Sequence, residues 1–193
     1  AGAILGVDCT VSTPVTTKPL TLDADIVFHS ATKYLNGHSD VTAGILITKE
    51  DNTRWKDIKF IRKHVGGVLG PFESWLLLRG MRTLSIRFER SCSNAMQIAK
   101  YLESHPLVDK VMYPGLANHP GYEVARRQMK KGFGGMISFC VKGGSKEALA
   151  VANKLELFIR ATSLGGVESL VEHRASVEGP YSRVPESLLR LSI

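Results

Sequence analysis

Short apolar runs alternate with polar, turn-forming stretches through the first part of the chain. Ile4 to Val7, Ile26 to His29 and Gly44 to Thr48 each read as a strand bounded by Gly, Pro, Asp or Ser, with a Thr- and Pro-rich connection between the first two. This is the pattern of an α/β domain holding part of a mostly parallel sheet. From Pro71 the period changes. Leu84, Phe88, Cys92, Ala95, Ala99 and Leu102 recur at three- and four-residue spacing, which predicts one long helix with a single apolar face, kinked at Gly80 and stopping near His105, before Pro106. Such a helix is a natural bridge between domains. Beyond it, strands are expected over 108–113, 135–141, 157–162 and 188–193, and helices over 122–131 and 146–155, a smaller α/β unit with a sheet backed by helices. The chain thus divides into residues 1–80 and 81–193, with no internal repeat.

Composition narrows the class. Hydrophobic residues make up 44% of 193 and are spread along the chain, as in a folded globular protein. No apolar run reaches the roughly 18 residues of a membrane span, and the longest, Trp75 to Leu78, is broken by Arg79; no membrane association is expected. A net charge of +7 raises a nucleic-acid partner, but the densest basic cluster, Arg126, Arg127, Lys130 and Lys131, lies on an expected helix with no aromatic platform or finger motif. A basic solvated face, with no nucleic-acid partner, is the simpler reading. Cys9, Cys92 and Cys140 have no metal-ligand spacing and read as free thiols of a cytoplasmic protein. His29 and His38 lack a second cluster, so no metal site is expected. Gly132-Phe133-Gly134-Gly135 leads into a strand, which makes it a turn and not a phosphate loop.

Two residues carry candidate chemistry. Lys33 follows a strand in His29-Ser30-Ala31-Thr32-Lys33-Tyr34 and is flanked by hydroxyls. A lysine becomes a nucleophile near neutrality only when desolvated or set beside cationic or electrophilic groups, and hydroxyls next to it can hold an anion such as a phosphate. That combination suits a Schiff-base lysine with pyridoxal phosphate. Taken alone, Lys33 reads first as a solvated surface lysine in a polar loop, since most lysines are solvated. Asp8 closes the apolar run Ile4-Leu5-Gly6-Val7, where the carboxyl ends of strands in α/β sheets gather ligands. An Asx turn before Thr10 is the competing reading.

The motifs together are more specific. Gly6-Val7-Asp8-Cys9-Thr10, Ala24-Asp25-Ile26-Val27-Phe28-His29-Ser30-Ala31-Thr32-Lys33-Tyr34, Gly37-His38-Ser39-Asp40, Gly66 to Phe72, Leu77 to Leu84, Val111 to Leu116, Ser163 to Leu170 and Leu189-Arg190-Leu191-Ser192 occur in the order found in the Cys/Met-metabolism pyridoxal-phosphate enzymes, which the chain resembles over essentially its whole length. The resemblance implies a fold-type I pyridoxal-phosphate transferase architecture. The chain would be the second half of the large cofactor-domain sheet plus most of the smaller C-terminal α/β domain, joined by the long helix.

Residue by residue, the resemblance implies that Lys33 forms the internal aldimine and is catalytic, that Asp8 pairs with the pyridine nitrogen, and that Ser30 and Thr32 bind the phosphate. It implies that Ser163 and Arg190 bind the substrate, Arg190 through its α-carboxylate, which matches a planar guanidinium fork. The substrate class is a small amino acid, sulfur-containing or derived from homoserine, and the enzyme a homodimer or homotetramer. Glu168 in Ser163 to Leu170 favours the cystathionine γ-synthase and γ-lyase members, with γ-replacement or γ-elimination. O-Acyl-homoserine sulfhydrylase, methionine γ-lyase and cystathionine β-lyase are the other enzyme readings, and a non-catalytic remnant used for binding or assembly is the non-enzyme one. Two departures stand out: Cys9 where relatives usually have Asn, and Ser176-Val177-Glu178-Gly179 where many have Met-Thr-His-Ala. Family members also carry an upstream portion with a phosphate loop and a ring-stacking aromatic, so the chain alone is expected to show little turnover.

Overall fold

Two sheets share one helix. The computed structural model describes residues 2–179 and 181–193. Strand β1 (Gly6–Asp8) pairs parallel with β2 (Ile26–Ser30), which pairs antiparallel with β3 (Gly44–Thr48). The connection from β1 to β2 folds as α1 (Thr13–Thr16) and a 3-10 turn (Pro19–Leu22), each with a proline in its first turn, where a missing N–H costs no helical bond. Helix α2 (Thr53–Val65) follows β3. It starts at Asn52, whose side chain accepts the Trp55 N–H at 3.1 Å, and ends at Gly66 in the left-handed conformation.

The long helix expected from Pro71 is two helices, α3 (Pro71–Met81) and α4 (Leu84–Glu103). The break has a local cause. The Gly80 carbonyl is claimed by the Thr83 N–H at 3.3 Å, the Thr83 hydroxyl at 3.2 Å and the Arg87 guanidinium at 2.9 Å, which takes it out of the i to i+4 ladder. Gly80 itself is required by close approach: an added Cβ would lie 2.2 Å from the Asn36 carbonyl oxygen.

The second sheet has the order β4-β5-β8-β7-β6, from β4 (Val108–Met112), β5 (Met136–Val141), β6 (Ile159–Arg160), β7 (Leu170–His173) and β8 (Leu188–Ser192). Its pairings are antiparallel except β6 with β7. Helices α5 (Tyr122–Gln128), α6 (Ser145–Lys154) and α7 (Arg174–Glu178) complete the chain. Ile137, Phe139, Val171, Leu189 and Leu191 pack with Ala95 and Ala99 of α4 and Ala148 and Ala152 of α6, whose small side chains let the helices lie close to the sheet.

Helix α4 is divided between two cores. Leu84, Phe88 and Cys92 join Ala31, Tyr34, Leu35 and Leu77, whereas Ala95 and Ala99 belong to the five-stranded sheet. The apolar stripe read from the sequence is therefore real, and its two halves bury against different partners. No helix among the described residues is long and apolar enough to cross a membrane. Cys9, Cys92 and Cys140 are free and buried.

Candidate active site

Asp8 ends β1 with its side chain exposed. Its Oδ1 accepts the Thr10 N–H at 2.8 Å, an Asx turn, while no hydrogen bond among the described residues uses Oδ2. Thr10 then reaches across the sheet: its hydroxyl accepts the Ser30 N–H at 2.7 Å, so the carboxyl ends of β1 and β2 are stitched together. The Ser30 hydroxyl makes no hydrogen bond among the described residues. Buried His29 lies beside this stitch, and desolvation pushes its pKa down against the opposing field of Asp8.

After Ser30 the chain closes a tight loop. Lys33 N–H bonds the Ser30 carbonyl at 3.1 Å, Asn36 N–H bonds the Ala31 carbonyl at 2.9 Å and Gly37 N–H bonds the Lys33 carbonyl at 2.7 Å. Thr32 is more engaged than its neighbour: its hydroxyl accepts the Ala43 N–H at 2.9 Å and lies 3.3 Å from the Ala43 carbonyl, so its proton is held only by that longer contact. Ala31, Tyr34 and Leu35 are buried while Lys33 stays half-buried, which leaves the amine as the polar group the loop presents. Arg87 clasps the loop from α4, donating to the carbonyls of Tyr34 at 3.0 Å and Leu35 at 3.4 Å.

The amine meets the other sheet. Lys33 Nζ donates to Ser163 Oγ at 3.1 Å across 130 residues of sequence. Arg190, in the middle of β8, donates through Nη2 to the carbonyls of Thr162 at 3.0 Å and Ser163 at 3.3 Å. Ser163 is thus the joint between amine and guanidinium. Tyr34 reinforces it: its ring packs edge-on to Phe88 at 4.8 Å and against Gly165, whose φ of +74° and missing Cβ allow the approach. Burial drives the Tyr34 pKa far up, so its hydroxyl stays protonated.

Of the six residues singled out from sequence, the structure brings Lys33, Ser163 and Arg190 into one contact chain. Asp8 and Ser30 are joined through Thr10, and Thr32 is tied to Ala43. Sequence reasoning missed Thr10, Arg87 and the partners of Arg190. Glu172 of β7 sits opposite Arg190 in the strand register, with its side chain only 2% exposed, and its carboxylate pairs with Arg190 and, at 2.8 Å, with Arg174. Burial lowers the Arg190 pKa, Glu172 opposes this and Arg174 adds to it.

The donor set fits pyridoxal phosphate. An exposed carboxylate oxygen is available for a protonated ring nitrogen, the Ser30 and Thr32 hydroxyls flank the lysine for a phosphate, and a lone primary amine faces the second sheet.

The family model of the Cys/Met metabolism PLP-dependent enzymes matches residues 1–188. The chain belongs to this family. It is similar to the cystathionine γ-lyase of Bacillus subtilis, 52% identical over all of this chain and 52% of that protein. It is similar to the cystathionine β-lyase of Coxiella burnetii, 49% identical over 93% of this chain and 46% of that protein. Among solved structures, cystathionine γ-synthase from Xanthomonas oryzae pv. oryzae, in complex with aminoacrylate and cysteine, superposes with a TM-score of 0.94 at 42% identity, over 100% of this chain and 51% of that one. The chain therefore spans about half the length of the relatives it matches. The family is pyridoxal-phosphate-dependent, and the solved relatives share the α/β architecture.

Proposed function

We propose that this chain forms part of a pyridoxal-phosphate enzyme of transsulfuration type, acting on sulfur-containing or homoserine-derived amino acids by γ-replacement or γ-elimination. It would work in the cytoplasm as a homodimer or homotetramer, with residues 1–80 belonging to the cofactor domain and 81–193 to the small domain and its connecting helix. One observation carries the reading: Lys33 and Arg190 converge on the hydroxyl and carbonyl of the same residue, Ser163. An amine that reacts at the substrate Cα and a guanidinium that grips the neighbouring carboxylate need this short span.

Bound pyridoxal phosphate supplies an electron sink for the pair left at Cα. Asp8 holds the proton on the ring nitrogen through its free oxygen, and Ser30 and Thr32 bind the phosphate. Lys33 would be the attachment amine and would carry the Cα proton. Ser163 fixes the position of Nζ, and Arg190 orients the substrate by its carboxylate. Orientation of this kind accounts for several kcal/mol of a barrier, roughly 7–11 in well-aligned cases.

The reading is tested by hydride reduction of the pyridoxal-loaded enzyme and mapping of the pyridoxyl peptide, expected on Lys33; a label on another lysine rejects it. Assays with cystathionine, with O-acyl-homoserine plus cysteine, and with methionine then assign the reaction, and no turnover with any of them favours a non-catalytic role.

A further inference from the structure

Arg190 has a problem that its surroundings solve. A carboxylate that grips it inside the protein competes with a substrate carboxylate for the same donors and cancels the charge that attracts it. Glu172 is such a group, with its side chain 2% exposed and paired to Arg190. Arg174 lies on the far side of the same carboxylate, its Nη1 on Glu172 Oε1 at 2.8 Å, with its side chain 26% exposed. Through Nη2 it also pairs with Glu178 at the end of α7, which takes the Ser182 hydroxyl at 2.9 Å. The four charges form a line: Arg190, Glu172, Arg174, Glu178.

The element carrying Arg174 is held in place independently of these charges. His173 donates from Nε2 to the Glu186 carbonyl at 2.6 Å, and its Nδ1 shares a 2.6 Å hydrogen bond with the Ser176 hydroxyl. This fixes the start of α7.

We propose that Arg174 is a positioning residue for substrate: by sharing Glu172 it leaves Arg190 cationic toward an incoming α-carboxylate, while Glu178 moderates that charge. The inference rests on Arg190 being the carboxylate anchor. Two substitutions then act with opposite signs. Removing Arg174 leaves Glu172 to Arg190 alone and makes the local charge more negative; removing the Glu178 charge makes it more positive. A residue that merely supports the fold gives no such reversal.

The test is equilibrium binding of glycine, which has an α-carboxylate but no leaving group, to the pyridoxal-loaded enzyme by calorimetry, with KM and kcat measured alongside. Arg174→Met is expected to weaken glycine binding by about tenfold and to raise KM with kcat largely kept. Arg174→Lys, which keeps the charge, restores most of the affinity, and Glu178→Gln on the exposed end of the line tightens binding severalfold. Unchanged affinity in Arg174→Met, or weaker binding in Glu178→Gln, overturns the proposal. Arg190→Lys separates the two readings: if it binds glycine as wild type does, the anchor assignment fails; if it loses binding while Arg174→Met does not, only the charge-sharing role fails. Should Arg174→Met not fold, the sign of the Glu178→Gln effect decides.

Discussion

Replacing Gly165 by alanine tests whether the loop bearing Ser163 is locked to the loop bearing Lys33. Two costs are separable. Gly165 has φ of +74°, and an L-residue in that region costs about 1–2 kcal/mol. A Cβ there would also stand 2.7 Å from the Tyr34 backbone nitrogen and 2.9 Å from its ring. The nitrogen belongs to the loop that Arg87 clasps, so it cannot swing away as a flexible side chain would. Overpacking against such a wall costs roughly 1–3 kcal/mol, for a total of about 2–5. Gly66 supplies the control: its φ is +82°, yet nothing lies within 4 Å of an added methyl, so Gly66→Ala should cost only the conformational part, about 1–2 kcal/mol. Denaturant unfolding of both variants measures the difference. Hydride trapping of the lysine should also slow in Gly165→Ala, because the displaced loop releases Nζ from Ser163. If Gly165→Ala costs no more than Gly66→Ala and traps at the wild-type rate, the two loops are not locked and the argument fails.

Arg87→Met removes a half-buried guanidinium that serves the carbonyls of Tyr34, Leu35 and Gly80; a loss of about 2–3 kcal/mol is expected, with faster amide exchange at Asn36 and Gly37, and unchanged exchange there would show that the clasp is incidental. Phe88→Ala, in the fully buried contact with Tyr34, should destabilise by about 3–5 kcal/mol in a thermal melt, and a cost below about 1 would mean that the surroundings collapse into the void. His29 has its pKa lowered by burial, so below its ordinary value near 6.5 the unfolded chain binds the proton first and stability falls as the pH falls toward the folded pKa. His29→Asn should flatten this acid dependence, and an equally steep slope in the variant would place it on other groups.

How much the chain reveals of itself follows from burial. β3 is delimited by its apolar run and flanking turns, with Ile45 and Ile47 half-buried on one side, and the stripe on α4 by its spacing, because it buries one continuous face. Helix α2 carries a stripe too, with Trp55, Ile58, Ile61 and Val65 at three- and four-residue spacing between Asn52 as cap and Gly66 as terminator, but none of its residues is buried in this chain. β7 hides for another reason. Its buried Glu172 breaks any apolar pattern, and the partner that makes its burial tolerable, Arg190, is visible only in the register of two strands far apart in sequence. Lys33 and Asp8 are legible as chemistry from strand ends and neighbours. That Ser163 lies between Lys33 and Arg190 is not, because the contact spans 130 positions and depends on how two sheets meet.

The partition of α4 between two cores has a practical meaning for protein engineering. The polypeptide passes from the three-stranded sheet to the five-stranded sheet along this helix, with Cys92 on one side of the transition and Ala95 on the other. A chimera joined between those two positions would exchange Ser163, Glu172, Arg174 and Arg190 as one cassette while keeping Asp8, Ser30 and Lys33 from the recipient. Under the proposed roles, substrate choice and cofactor handling are separately transplantable, and the seam to match is the packing of Tyr34, braced by Phe88, against Gly165.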